Sequence, residues 1–200
     1  MKIKNKNRIA KIQRTTRETD ISMELNIDGT GAYKIETPIP FVTHMLEQLS
    51  RHGKFDLKIK ARGDVEIDEH HTVEDLGISL GEAFYKALGS KEGIVRFGEA
   101  TVPLDEALVQ VVVDFSGRPY LVRKISLRKR RVGRFDTDLL EGFFQGFVNH
   151  ARVNLHIRLE YGMDPHHVTE ATFKAFAQAV DRATRLDPRI VGIPSTKGVL

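Results

Sequence analysis

THMLEQLSRHGKFDLKIK, residues 43–60, lies without a gap over EGFFQGFVNHARVNLHIR, residues 141–158. His52 meets His150, Leu57 meets Leu155 and Ile59 meets Ile157. With two residues fewer in the second loop, His70-His71 fall on His166-His167, and Glu74 falls on Glu170. Agreement of spacing, strand and motif is the mark of an internal duplication. Each segment runs from a helical apolar spacing into a period-two alternation. The chain therefore reads as an α+β fold made of a duplicated half-domain. Each half is a small, mostly antiparallel sheet with two helices packed on one face.

Working outward, residues 8–14 and 18–28 alternate polar with apolar and predict strands. Asp28-Gly29 predicts a hairpin turn into a short strand at 31–36. A helix is expected from Phe41 to about His52, stopped by Gly53. A strand at 55–61 and a helix from Glu69 to Leu88 follow. Strands are expected at 97–103, 106–115 and 119–127, then a solvated basic loop at Arg128–Arg134. A helix from Asp136 to about Asn149, a strand at Val153–Glu160 and a helix at Pro165–Arg185 complete the second half. This gives one catalytic domain with repeats at roughly 8–92 and 93–187 and an irregular tail at 188–200.

The 200 residues are 40% hydrophobic and 29% charged, an ordinary globular balance. There is no cysteine, which excludes disulfide frameworks, thiolate nucleophiles and Cys-type metal sites. A metal would be held by His nitrogen and carboxylate oxygen, ligands that suit manganese, iron, zinc or cobalt. The start, MKIKNKNRIAK, is basic without a signal peptide's apolar stretch, and no apolar run approaches a membrane span. The expected location is the cytoplasm. A net charge of +4 favours an anionic partner without naming one. The basic run lacks aromatic interleaving, so neither nucleic acid nor membrane is expected as a partner.

HHTVE at 70–74 and HHVTE at 166–170 carry the chemistry. His70 and Glu74 are four apart and His71 and Glu74 three apart, spacings that share a helix face. Adjacent histidines diverge by about 100°. Each of a pair therefore serves a different cation, and two such helices supply two ions with ligands from both halves or from neighbouring subunits. His44 on the first helix is a further candidate ligand; its internal counterpart, Gly142, has no side chain. His52 and His150 read as capping or packing residues, and His156 as a weaker candidate.

The chain resembles the imidazoleglycerol-phosphate dehydratase family of histidine biosynthesis. The resemblance is carried by RTTRET (14–19), HMLEQLSRHG (44–53), DEHHTVEDLGISLGEA (68–83), PLDEAL (103–108), SGRPY (116–120), LHIR (155–158), HHVTEATFKA (166–175) and STKGVL (195–200). It implies a ribosomal protein S5 domain 2-like fold, two manganese ions per site, and a homo-oligomer of 24 subunits with active sites between them. The implied metal ligands are His44, His70, His71, Glu74, His166, His167 and Glu170. The implied phosphate ligands are Arg96, Arg118, Lys174, Ser195 and Lys197. Glu18, reaching in from a neighbouring subunit, is implied as the proton shuttle, and Gln48 as a contact to substrate or metal-bound water. Two positions depart from the family. Gly142 stands where a ligand His precedes Phe-Phe, so that one metal is left underligated, filled out by water, or held by a substitute from elsewhere. Thr43 stands where an Asp precedes the first-helix His.

The implied reaction dehydrates imidazole glycerol phosphate to imidazole acetol phosphate. A metal-held imidazolate would expel the side-chain hydroxyl to a diazafulvene-like intermediate, and loss of the neighbouring proton would give an enol and then the ketone. The alternatives are a related lyase or hydrolase and a metal-binding assembly protein without turnover.

Overall fold

The computed structural model describes residues 8–127 and 129–200. Residues 1–7 of the basic N-terminal stretch and Arg128 of the basic run lie outside the described residues. Among the described residues, ten strands and four helices are formed: β1 (Ile9–Thr15), β2 (Thr19–Asn26), β3 (Tyr33–Glu36), α1 (Pro40–Gly53), β4 (Asp56–Gly63), α2 (His70–Leu88), β5 (Phe97–Leu104), β6 (Ala107–Asp114), β7 (Tyr120–Lys124), β8 (Arg131–Val132), β9 (Phe135–Asp136), α3 (Leu139–Ala151), β10 (Asn154–Tyr161) and α4 (Pro165–Thr184).

The duplication is visible in the topology. One sheet has the order β1-β2-β4-β3 and the other β5-β6-β10-β7. In each, the third strand in space pairs antiparallel with one neighbour and parallel with the other. The first helix of each half also ends alike. Lys54 and Arg152, 98 positions apart, both take left-handed φ values, 59° and 56°, and their N–H groups bond back to Ser50 and Val148 carbonyls. Such a residue closes a helix by satisfying a carbonyl that has no intrahelical partner.

The strands alternate buried and exposed residues, so each sheet buries one face. The helices cover that face. α2 lies on β1, β2 and β4 and packs against α3 of the other half, while α4 lies on β5 and β6 and packs against α1. Helices thus fill the space between the two sheets. Small residues set the α2–α3 approach. A Cβ on Gly77 would stand 2.1 Å from the Phe143 carbonyl oxygen, and one on Gly81 2.6 Å from that of Phe147. An aromatic cluster of Phe84, Phe143, Phe144, Phe147, Phe173 and Phe176 joins the helices, with ring centroids 4.9–5.8 Å apart.

Three expectations are corrected. The Asp28-Gly29 turn does not fold β3 back on β2, because β4 occupies that edge along its whole length, from Thr19 opposite Gly63 to Asn26 opposite Asp56. The Asp56 carboxylate accepts from the Thr30 and Ala32 N–H groups at 2.8 and 3.0 Å and leads the chain across to β3, which pairs parallel with β4. The basic run is not wholly loop. β8 and β9 form a small hairpin, anchored by buried Phe135, whose ring meets Phe41 of α1 at 5.2 Å. Because that hairpin takes Asp136, α3 begins at Leu139 rather than at Asp136.

Candidate metal centre

His44 of α1 and His166 and Glu170 of α4 converge where the two helices pack. His44 Nε2 and His166 Nε2 each lie 3.2 Å from Glu170 Oε2. The three ligand atoms all fall within 4.8 Å of one another. Neighbouring donors around a cation bonded at about 2.1 Å stand roughly 3 Å apart, so this donor set fits a divalent ion. The local sequence builds it. Asp164 caps α4, its carboxylate accepting from the His166 and His167 N–H groups at 2.8 and 3.2 Å. Pro165 takes the first helical position, where its missing N–H costs nothing. Glu170 then stands one turn after His166.

Lys174, one turn further, brings its Nζ within 2.7 Å of Glu170 Oε1. Burial pushes the Glu170 carboxyl up. The Lys174 ammonium and the His44 bond outweigh it and hold the group down to about 2. Glu170 is thus a fixed carboxylate at neutral pH.

The counterpart on α2 is thinner. His70 Nε2 lies 3.4 Å from Glu74 Oε2. The third corner, matching His44, is Gly142 of α3. A Cβ built there would meet, among the described residues beyond its own helix turn, the Glu74 Cβ at 3.8 Å.

The second histidine of each pair turns away from the first. The His70 and His71 rings are 6.1 Å apart and nearly perpendicular, as are those of His166 and His167 at 6.2 Å. Carboxylates from strand ends hold these outer rings. His71 Nδ1 is 3.0 Å from Asp64 Oδ2 and 3.8 Å from Glu18. His167 Nδ1 is 2.7 Å from Glu106 Oε2. The Asp64 bond raises the His71 pKa, and the Glu106 bond raises that of His167. The His167 bond and the Asp164 N–H in turn draw Glu106 down to about 2. A carboxylate on Nδ1 fixes the tautomer and leaves Nε2 as a donor to a cation.

Sequence reading missed Asp64 and Glu106. The signal for Glu106 was present: it sits in the β5–β6 turn as Glu18 sits in the β1–β2 turn, at matching places of the repeat. Glu18 itself is on that turn rather than on a strand, and is half exposed. Gln48 accepts a hydrogen bond from His52 Nε2 at 3.1 Å with the imidazole proton on that nitrogen. His150 Nδ1 lies 2.9 Å from the Gly146 carbonyl, and His156 is exposed on β10. None of these three histidines belongs to the three-donor cluster. Thr43 pairs its hydroxyl with Thr37 at 2.9 Å and makes no hydrogen bond to His44.

Of the expected phosphate ligands, only Lys174 lies beside this cluster. Arg96 is at the far end of α4, its N–H bonded to the Ala183 carbonyl. From residue 166 to residue 183 the helix rises about 25 Å. Arg96 grips Asp114 with two nitrogens, at 2.7 and 3.2 Å, and donates to the Pro194 carbonyl at 2.9 Å. The tail that carries Ser195 and Lys197 therefore meets Arg96. Its last residue, Leu200, lies against Gly117, beside exposed Arg118. Among the described residues no helix is long and apolar enough to cross a membrane.

The family model for Imidazoleglycerol-phosphate dehydratase matches residues 37–180. The chain is 57% identical over 193 residues to the Imidazoleglycerol-phosphate dehydratase of Pelobacter propionicus, covering 96% of this chain and 99% of that one. It is 55% identical to that of Geobacter sulfurreducens over the same shares. The crystal structure of the Staphylococcus aureus enzyme superposes with a TM-score of 0.81 at 40% identity, over 90% of this chain and 99% of that one. The Pyrococcus furiosus enzyme in complex with (S)-C348 gives a TM-score of 0.82 at 37% identity, over 94% and 100%. With the duplicated fold and the His/Glu cluster, these likenesses make the chain a member of the imidazoleglycerol-phosphate dehydratase family, hydro-lyases of histidine biosynthesis acting on a phosphorylated imidazole.

Proposed function

We propose that this chain dehydrates imidazole glycerol phosphate to imidazole acetol phosphate in a divalent-metal-dependent reaction, with manganese as the ion. His44, His70, His71, Glu74, His166, His167 and Glu170 would hold it. The observation that carries this reading is the meeting of His44, His166 and Glu170 from two halves of the chain. Bound cations would stabilise negative charge developing on the substrate's ring. The elimination itself would follow the order that the family resemblance implies: ring-assisted loss of the hydroxyl, then of the proton on the neighbouring carbon.

Glu18 is the proton carrier in this reading. Its carboxylate stands on a tight turn beside His71, exposed and free to enter a neighbouring chain's site. Gln48, one turn after His44, faces substrate or a bound water. Arg96, Arg118, Lys174, Ser195 and Lys197 take the phosphate.

The length of α4 bears on the assembly. A substrate with a three-carbon side chain cannot bridge the roughly 25 Å between His166 and Arg96. One chain's cation cluster and another chain's phosphate grip must then share a substrate. This supports a homo-oligomer with sites between subunits, 24 in the family's pattern. The single domain at 1–200, with repeats 8–92 and 93–187 and the tail 188–200, is the unit of that assembly, working in the cytoplasm.

The test uses purified protein stripped by a chelator and reloaded with manganese. Turnover of imidazole glycerol phosphate is expected only after reloading, and other phosphate esters should remain intact. Glu18→Gln should retain metal while losing about 10²- to 10⁴-fold in kcat, the usual weight of a general acid–base. Full turnover in the stripped protein would defeat metal dependence. An unchanged rate in Glu18→Gln would remove Glu18 from the reaction.

A further inference from the structure

The two halves carry the same cation-binding plan with one donor missing from the second. His44 approaches the His166–Glu170 pair from α1, through the α1–α4 contact. The ungapped repeat places Gly142 of α3 opposite the His70–Glu74 pair, through the α2–α3 contact. The equivalence is spatial as well as alphabetical, since the Cβ direction of Gly142 points to Glu74 at 3.8 Å. Among the described residues of this chain, no third His or carboxylate joins the His70–Glu74 pair within ligand distance. Glu141 is drawn to Arg123, Nη1 to Oε2 being 3.7 Å. Gln145 donates to Asn149 at 2.8 Å, and His150 is engaged by the Gly146 carbonyl.

We propose that this chain holds its two cations with unequal strength, tightly at His44, His166 and Glu170 and weakly at His70 and Glu74, and that Gly142 is the cause. The inference rests on the metal-dependent reading above. On that same reading, donors from neighbouring chains would reach the two places alike, because the repeat pairs the outer residues His71 and His167. They do not remove the difference, which stays at position 142. Loss of a partner that merely orients a ligand already weakens metal affinity about 10- to 100-fold. A missing ligand should cost at least that.

The test is a manganese titration of the full chain, read as ions retained per subunit after gel filtration and as free manganese by electron paramagnetic resonance. The wild type should keep one ion per chain and bind a second at least 10-fold more weakly. Gly142→His should keep two. Gly142→Ala, which adds no donor, should behave as wild type and controls for helix stiffening. The double variant His44→Ala with Gly142→His should keep one ion. Adding Glu74→Ala should then release it, whereas in the wild-type background Glu170→Ala releases the tight ion and Glu74→Ala does not. Two equally tight ions in the wild type, or no gain in Gly142→His, would overturn the proposal while leaving metal dependence intact. No manganese binding by any variant would overturn both.

Discussion

His44 and Glu170, 126 residues apart, bring imidazole Nε2 and carboxylate Oε2 to 3.2 Å across the α1–α4 contact. One residue comes from each half of the duplicated chain. Glu170 is largely buried, and besides His44 its carboxylate serves His166 and Lys174. The pair is thus both a joint between the halves and part of the candidate cation site.

His44→Ala should therefore cost metal before it costs fold. His44 is partly exposed, so its removal leaves no buried donor unpaired. Manganese affinity by calorimetry should fall at least 10-fold while the thermal midpoint in chelator stays within a few degrees. An unchanged affinity would remove His44 from the ligand set.

Glu106→Gln tests a residue that touches no proposed cation yet orients one of its ligands. The amide loses the charge that holds His167 Nδ1 at 2.7 Å. Metal affinity should drop about 10- to 100-fold, while Glu106→Asp, which keeps the charge, should recover part of the loss. Equal affinity in wild type and Glu106→Gln would leave the contact without functional weight.

The same change, glycine to alanine, should have opposite signs at two positions. In Gly77→Ala the new Cβ meets the Phe143 carbonyl oxygen at 2.1 Å, forcing α2 from α3 at a cost of about 1–3 kcal/mol or more. In Gly142→Ala it meets only the Glu74 Cβ at 3.8 Å, and better helix propensity should stabilise by up to about 1 kcal/mol. Denaturant midpoints would separate the two, and a shift in the same direction for both would contradict the close helix crossing.

Asp56 should lend the first sheet a pH-dependent stability. Burial pushes its carboxyl up, but the Thr30 and Ala32 N–H groups and the Asn26 amide pull it down further, so its folded pKa lies below the ordinary value. A depressed carboxyl stabilises the fold fully above its unfolded pKa of about 3.9, and the contribution fades as pH falls from there through the folded value. Asp56→Asn should lower the unfolding free energy near pH 6 and converge on wild type in acid. A gap between the two curves that is constant from pH 6 to pH 3 would rule the linkage out.

Periodicity made most of the fold legible. The 43–60 and 141–158 segments share helix, left-handed cap and strand because residues 98 apart play the same parts. The path of β3 was not legible, since an Asp-Gly turn signals a hairpin locally while the decision lay with β4, a long-range competitor for the same edge. The hairpin at 131–136 escaped because a basic run hides one anchoring Phe135. At the site, the divergence of neighbouring histidines could be read from helix geometry alone. Asp64 could not, because it reaches His71 from the end of β4, outside the helix that carries the motif; Glu106, 61 residues from His167, was marked only by its match to Glu18 in the repeat.

With sites between subunits, as proposed above, the span of α4 has a genetic consequence. Damage to the His44 end and damage to the Arg96 end need not fall on the same working site. Chains carrying His44→Ala and chains carrying Arg96→Ala, each inert alone, would repair one another when assembled into mixed particles, since some junctions would inherit an intact contribution from both parents. Turnover reborn from two silent alleles would be the signature of a centre that no single polypeptide owns.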